Sequence, residues 1–118
     1  MPTNPLSVGQ EALWFLHDVA PDSAAYNVAF AFAIRDAIDV DALDAAVRRT
    51  ARRHDMLRSS FADSGDHPVR VVHDDDVTRL RVRRVSADDL TPFVREVIAE
   101  PFSLRRPPLV RFVLLRGP

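Results

Sequence analysis

Residues 39–62 read DVDALDAAVRRTARRHDMLRSSFA, and the change of period inside this stretch decides the fold class. Asp39 stands where it can cap a helix in which Val40, Leu43, Val47 and Ala51 keep one apolar stripe at helical spacing. Asp41 and Asp44 fall early in that helix and Arg48, Arg49, Arg52 and Arg53 fall late, so both sets of charge complement the helix macrodipole. An arginine cluster in the last turns of an amphipathic helix reads as a solvated face rather than as a nucleic-acid footprint. Past His54 the helical stripe stops and residues 57–62 read as a short strand. Helix and strand following one another this closely indicate an α/β (α+β) protein.

Working towards the N-terminus, Ser7-Val8-Gly9-Gln10 has the form of a capping box, so a helix is expected to start at Ser7. Its apolar residues cover more than one face, as in a helix enclosed by other elements, and Pro21 marks the loop after it. Over residues 26–35 the large side chains Val28, Phe30, Phe32 and Ile34 alternate with Ala29, Ala31 and Ala33. That is period two, and it predicts an interior strand whose small face is covered by a helix.

Working towards the C-terminus, strands are expected at 69–73 and 79–85, which with 57–62 form a meander separated by turn-rich segments. Leu90, Phe93, Val94, Val97 and Ile98 follow the rule of a third amphipathic helix that ends near Pro101. Its start lies either after Ser86-Ala87-Asp88-Asp89 or at Pro92, with Thr91 as the cap. Residues 109–115 read as a buried strand. The expected order is αβαβββαβ around a mixed sheet, in one compact domain or one lobe of a larger one, spanning 1–118 with no linker.

Composition excludes several functions. The 118 residues hold 16 basic and 17 acidic side chains, for a net charge of −1, so no global field favours nucleic acid or an anionic membrane. There is no cysteine, hence no disulfide, no thiolate nucleophile and no cysteine-based zinc site. No apolar run approaches the roughly 18–20 residues of a membrane span, and no export signal is visible. A cytoplasmic location is expected. Every basic residue is Arg, which suggests a GC-rich bacterial genome.

Imidazole titrates near neutrality and is the natural place to look for a catalyst. None of His17, His54, His67 and His73 has an evident partner in sequence. His73-Asp74-Asp75-Asp76 offers metal-like ligands, but consecutive residues of an extended chain point to opposite sides, so no metal is expected. No nucleophile elbow, P-loop, dinucleotide fingerprint or zinc helix motif occurs.

Three segments carry a resemblance. Pro5-Leu6-Ser7-Val8-Gly9-Gln10-Glu11-Ala12-Leu13-Trp14 resembles the first core motif of nonribosomal peptide synthetase condensation domains, S-x-A-Q-x-R-L-W, with Gly9 for Ala and Ala12 for Arg. Arg53-His54-Asp55-Met56-Leu57-Arg58-Ser59-Ser60-Phe61 is similar to the second, R-H-E-x-L-R-T-x-F. Pro101-Phe102-Ser103-Leu104 before Pro108-Leu109-Val110-Arg111 looks like the P-F-D-L…G-P-L-x-R segment, with Pro107 where Gly is usual.

The resemblance implies the N-terminal lobe portion of a two-lobed, chloramphenicol-acetyltransferase-like fold. It implies a parent acyltransferase that joins a donor acyl or peptidyl thioester to an acceptor aminoacyl thioester as an amide. The partners implied are donor and acceptor carrier proteins, which bring the phosphopantetheine, and the C-terminal remainder of the domain; no cofactor binds directly. The family's H-H-x-x-x-D-G motif is absent from 1–118, so the piece alone is expected to be inactive. Arg58 matches the family arginine that pairs with the Asp of that motif, a role suited to a guanidinium fork. Ser7 and Gln10 are explained by capping and Trp14 by core packing, while Arg53, His54, Asp55, Leu57 and Phe61 are motif residues with structural roles. Two alternatives stay open: a non-catalytic docking module for carriers or neighbouring modules, and a related ester-forming acyltransferase. Self-association through exposed apolar surface is a further expectation.

Overall fold

The computed structural model describes residues 3–74 and 76–117. The elements in chain order are β1 (Thr3–Pro5), α1 (Val8–Val19), α2 (Val40–Arg53), a 3₁₀ turn (Asp55–Arg58), β2 (Ser59–Asp63), β3 (Pro68–Val72), β4 (Leu80–Arg84), α3 (Leu90–Ala99) and β5 (Phe112–Arg116). The two helix starts expected at Ser7 and Asp39 are both present. Ser7 accepts from the Gln10 amide while Gln10 accepts from the Ser7 amide, completing the capping box, and Asp39 accepts from the Ala42 amide.

The strands divide into two groups. An antiparallel sheet has the order β1-β3-β2, with Thr3 opposite Val71 and Ser60 opposite Val71 on the other side; β4 and β5 form a parallel pair, Leu80 opposite Phe112. The β2–β3 connection turns at Gly65, whose φ of 95° lies where a side chain would be strained. The expected meander is therefore only two strands long, because β4 leaves for β5. The start of β4 is held to α2, where Asp44 accepts from the Leu80 amide (3.0 Å) and from Arg79 Nη2 (2.9 Å) and Nε (3.3 Å).

Other expectations are corrected. β1 is an unforeseen strand, Leu57 and Arg58 belong to the 3₁₀ turn rather than to β2, and β5 is half-buried rather than buried. Pro92 sits inside the first turn of α3, not at its first position, and neither Thr91 nor the observed N-cap Asp89 makes a side-chain capping bond. A proline there loses only an amide that has no helical partner anyway. α1 is not enclosed: of its residues only Trp14 is buried, and Val8, Phe15 and Val19 are exposed. Residues 28–35 form no strand, and Val28, Phe30, Phe32 and Ile34 are 82, 80, 84 and 60 % exposed.

The core is accordingly small: Trp14, Val47, Ala51, Phe61 and Val72, where α1 and α2 meet the antiparallel sheet. The chain exposes 8570 Å², whereas a compact monomer of its mass exposes about 6,400 Å². Its radius of gyration is 16.1 Å, with extents of 52 × 29 × 17 Å, against about 13.5 Å for a compact domain of this length. The molecule is a flattened slab with several large apolar side chains exposed.

The Asp44 contacts carry a pH dependence. The Arg79 side chain, first, and the Leu80 amide hold the Asp44 carboxyl below its ordinary value. Its unfolded value is about 3.9, so the stabilisation is complete above that pH and is lost as pH falls through the lower folded value. Replacing Asp44 with Asn is expected to flatten the fall in urea midpoint between pH 5 and pH 2 relative to the native chain. Parallel titration curves would remove this linkage.

Candidate functional site

The three motif segments, far apart in sequence, meet in one place. Trp14 of α1 packs on Phe61 of β2 with ring centroids 6.5 Å apart at 49°. The guanidinium of Arg105, between the two halves of the third segment, lies 4.4 Å from the Trp14 ring centroid. The Phe61 amide donates to the Leu104 carbonyl at 2.7 Å. Gln10, besides capping its own helix, points Nε2 at the Met56 sulfur 3.7 Å away. Arg105 also bridges Asp63 and Asp18 at 3.1 and 3.2 Å. These two ion pairs are exposed and contribute little individually; the stacking over Trp14 fixes the fork where both carboxylates reach it.

Arg58 sits beside this junction at the end of the 3₁₀ turn. Its Nη1 donates to the His73 carbonyl (2.7 Å), Nε to the Ala51 carbonyl (3.2 Å) and Nη2 to Asp55 Oδ1 (2.7 Å). The arginine side chain is 20 % exposed but Asp55 is 56 % exposed, so the two carbonyl bonds to a charged donor outweigh the ion pair. Guanidinium carries five N–H groups, and two remain after these contacts. The backbone beneath is equally well tied. Ser59 Oγ donates to the Asp55 carbonyl, Thr78 Oγ1 to the Leu57 carbonyl, both at 2.6 Å, and the His73 amide to the Arg58 carbonyl at 2.8 Å. Arg70 Nη1 reaches Ser59 Oγ at 3.0 Å.

His73 is not isolated as its sequence context suggested: its Nε2 lies 2.6 Å from Ser60 Oγ. This is not a nucleophile–base pair open to substrate, because Ser60 is only 3 % exposed. Together with the two bonds to Arg58 it ties the end of β3 to the start of β2. The two consecutive serines that open β2 were the available signal for such a network. The remaining histidines stay apart: His54 is the exposed C-cap of α2, His67 is exposed in the β2–β3 turn and His17 lies in the last turn of α1. Arg53 is exposed and Leu57 half-buried. Asp75 of the acidic run lies outside the described residues, and among the described ones no cluster of metal-ligating side chains forms. No helix among them is long and apolar enough to cross a membrane.

Arg111 clamps the remaining side of the third segment. It donates to the Glu100 and Pro101 carbonyls at 2.6 and 2.8 Å and stacks 3.8 Å from the Phe102 ring centroid. Burial pushes its guanidinium below the ordinary arginine value, opposed by Glu100, yet arginine keeps its charge in such a setting.

This arrangement is that of a known family. The condensation domain model matches residues 2–117, and the chain belongs to the condensation domain family. It is 37 % identical over 119 residues to a linear gramicidin synthase of Brevibacillus parabrevis, covering 95 % of this chain and 2 % of that protein. It is 36 % identical over 115 residues to a probable non-canonical nonribosomal peptide synthetase, CymA, of Salinispora arenicola, covering 97 % and 2 %. Among solved structures it matches the starter condensation domain of rhizomide synthetase RzmA with a TM-score of 0.85 at 26 % identity, over 98 % of this chain and 30 % of that one. The condensation domain from Monacolin K polyketide synthase MokA shares the fold, with a TM-score of 0.87 at 23 % identity over 100 % and 28 %. The chain thus spans under a third of the solved domains it matches, and the chloramphenicol-acetyltransferase-like fold expected from the motifs holds.

The junction generates a stability prediction. Trp14→Ala removes the ring that both Phe61 and Arg105 contact and is expected to cost about 3–5 kcal/mol, a large part of the stability of a domain this size. Arg58→Ala, which removes the side-chain donor to the His73 carbonyl and leaves the Ala51 carbonyl only the long bond from the His54 amide, is expected to cost about 2 kcal/mol, and Arg58→Lys to recover less than half because one ammonium cannot reach all three acceptors. Denaturant unfolding measures both; an unchanged midpoint for either alanine variant contradicts the assignment of roles.

Proposed function

We propose that this chain is the N-terminal portion of an amide-forming condensation domain, and that its part in the chemistry is to build and hold the Arg58 anchor. The observation that carries the reading is the guanidinium fixed by three contacts to its own chain with two N–H groups left over. Such a fork is prepared to receive one further carboxylate bidentately. The carboxylate proposed is the Asp of the family's paired-histidine motif, which none of the 118 residues supplies, since no two of the four histidines are adjacent.

In the reaction proposed, the amine nitrogen of an acceptor aminoacyl thioester attacks the carbonyl carbon of the donor thioester. The new C–N bond forms, the C–S bond breaks, and the amine proton leaves with the departing thiolate as a free thiol. Both substrates arrive on the phosphopantetheine arms of carrier proteins, and no group bound to this chain takes part. Holding the two arms together supplies proximity, a large term in bimolecular chemistry. A histidine of the paired motif would orient or deprotonate the amine. These 118 residues alone carry no such group and are proposed to be inactive.

The test uses two loaded carriers and mass spectrometry. The chain continued through a complete condensation domain is expected to form the amide, and the 118-residue chain none. In the longer chain Arg58→Ala is expected to lower turnover and melting temperature together. A folded, complete domain that stays inactive with amine acceptors, or that acylates only alcohols, overturns the reading.

A further inference from the structure

His73 lies one residue past the end of β3, and its main chain is bonded twice to a single partner. The His73 amide donates to the Arg58 carbonyl at 2.8 Å, and the His73 carbonyl accepts from Arg58 Nη1 at 2.7 Å. That carbonyl is the firmest of the three acceptors around the guanidinium. Asp55 is 56 % exposed, so water competes for its carboxylate, and the Ala51 bond to Nε is the longest at 3.2 Å. Each terminal nitrogen of a guanidinium carries two N–H groups. With Nη1 and Nη2 each giving one to the chain, the two left over are one on each nitrogen. Where that pair points is therefore set chiefly by the His73 carbonyl.

The hairpin ladder does not hold this carbonyl. The last registered pair is Ser59 with Val72, which leaves His73 outside it, and Asp74 and Asp76 beyond are exposed. The contact that returns His73 to the hairpin is made by its side chain, whose Nε2 lies 2.6 Å from Ser60 Oγ. Ser60 stands opposite Val71. His73 is two residues further on, hence on the same side of the extended chain, at the diagonal position that a long side chain can bridge. Ser60 is 3 % exposed, so water has little access to take the place of the imidazole. A hydroxyl both donates and accepts, and the contact is compatible with Nε2 protonated or not.

We propose that His73 is a positioning residue for amide formation and acts through Arg58. Its bond to the buried Ser60 fixes the His73 carbonyl, and the carbonyl aims the guanidinium at the further carboxylate. The inference rests on the amide-forming reading and adds to it His73 and Ser60, neither of which is given contact with a substrate. The imidazole transfers no proton in this role.

The test uses the chain continued through a complete condensation domain, two loaded carriers, and a temperature well below the melting point of every variant. His73→Ala is expected to lower kcat on the order of 10-fold while KM for each carrier stays within about twofold, and Ser60→Ala to do the same. The double variant is expected to be no slower than the slower single one, because both remove one contact. His73→Gln offers a donor and an acceptor on a side chain of similar length and does not titrate. It is expected to restore most of the rate with the pH profile of the unsubstituted domain. Undiminished turnover in His73→Ala overturns the proposal. So does failure of His73→Gln to restore the rate, which makes the imidazole a proton carrier, and so do losses that multiply in the double variant.

The Arg58 Nε–H signal, followed by NMR in the same domain labelled at arginine, reads the hold on the guanidinium without reference to turnover. His73→Ala is expected to speed its exchange with solvent on the order of 10-fold. Faster exchange in a domain that forms no amide even when unsubstituted refutes the function and upholds the hold on Arg58. Amide formation with an Nε–H signal unmoved by His73→Ala refutes the positioning and leaves the function standing.

Discussion

The contact on which the rest depends is the one around Phe61, whose ring meets Trp14 and whose amide donates to the Leu104 carbonyl. Through it α1, the start of β2 and the segment leading to β5 are held at one point. Trp14 and Phe61 are two of the five apolar residues buried among those described. With a core so small, little else positions α1, and the Arg105 guanidinium lying over Trp14 closes the indole face that would otherwise be open to water.

The Arg58 turn is built on that platform by a different kind of interaction. Three successive constraints, from Ser59, Thr78 and the His73 amide, satisfy the carbonyls of Asp55, Leu57 and Arg58. Every one of these donors comes from an element other than a regular helix, which is why the turn keeps a defined shape between α2 and β2. A guanidinium placed on such a turn has little freedom left to lose when a further carboxylate approaches, and that preorganisation is what an anchoring residue requires. The open flank of the molecule shows the opposite condition. There Val28, Phe30, Phe32 and Ile34, together with Val8, Phe15 and Val19 of α1, lie exposed.

Much of this was legible in the chain itself. The capping box at Ser7 and the cap at Asp39 are local hydrogen-bonding patterns, so the starts of α1 and α2 follow from residues three positions apart. The strand runs of β2 and β3 and the turn-rich segment between them, which holds Gly65, are equally local. The motif spacing also carried the family, and with it the fold of the solved condensation domains. Less visible were the pairing of β4 with β5 and the company kept by His73. The first is a contact between strands about 32 residues apart, beside an Asp44 bond to the Leu80 amide that spans 36 residues, and the second sets Ser60 across the hairpin from His73.

Periodicity, capping and motif content are therefore determined by the sequence alone, because each arises from residues within a turn or two of one another. Which strands pair, and which apolar rows end up covered, was decided only by the tertiary structure. A strand's pattern states that it needs partners on both faces, but the hydrogen bonds that make it a strand are supplied by another part of the polypeptide. Residues 28–34 show the distinction most directly: their alternation is that of an interior strand, and among the residues described nothing stands beside them to make them one.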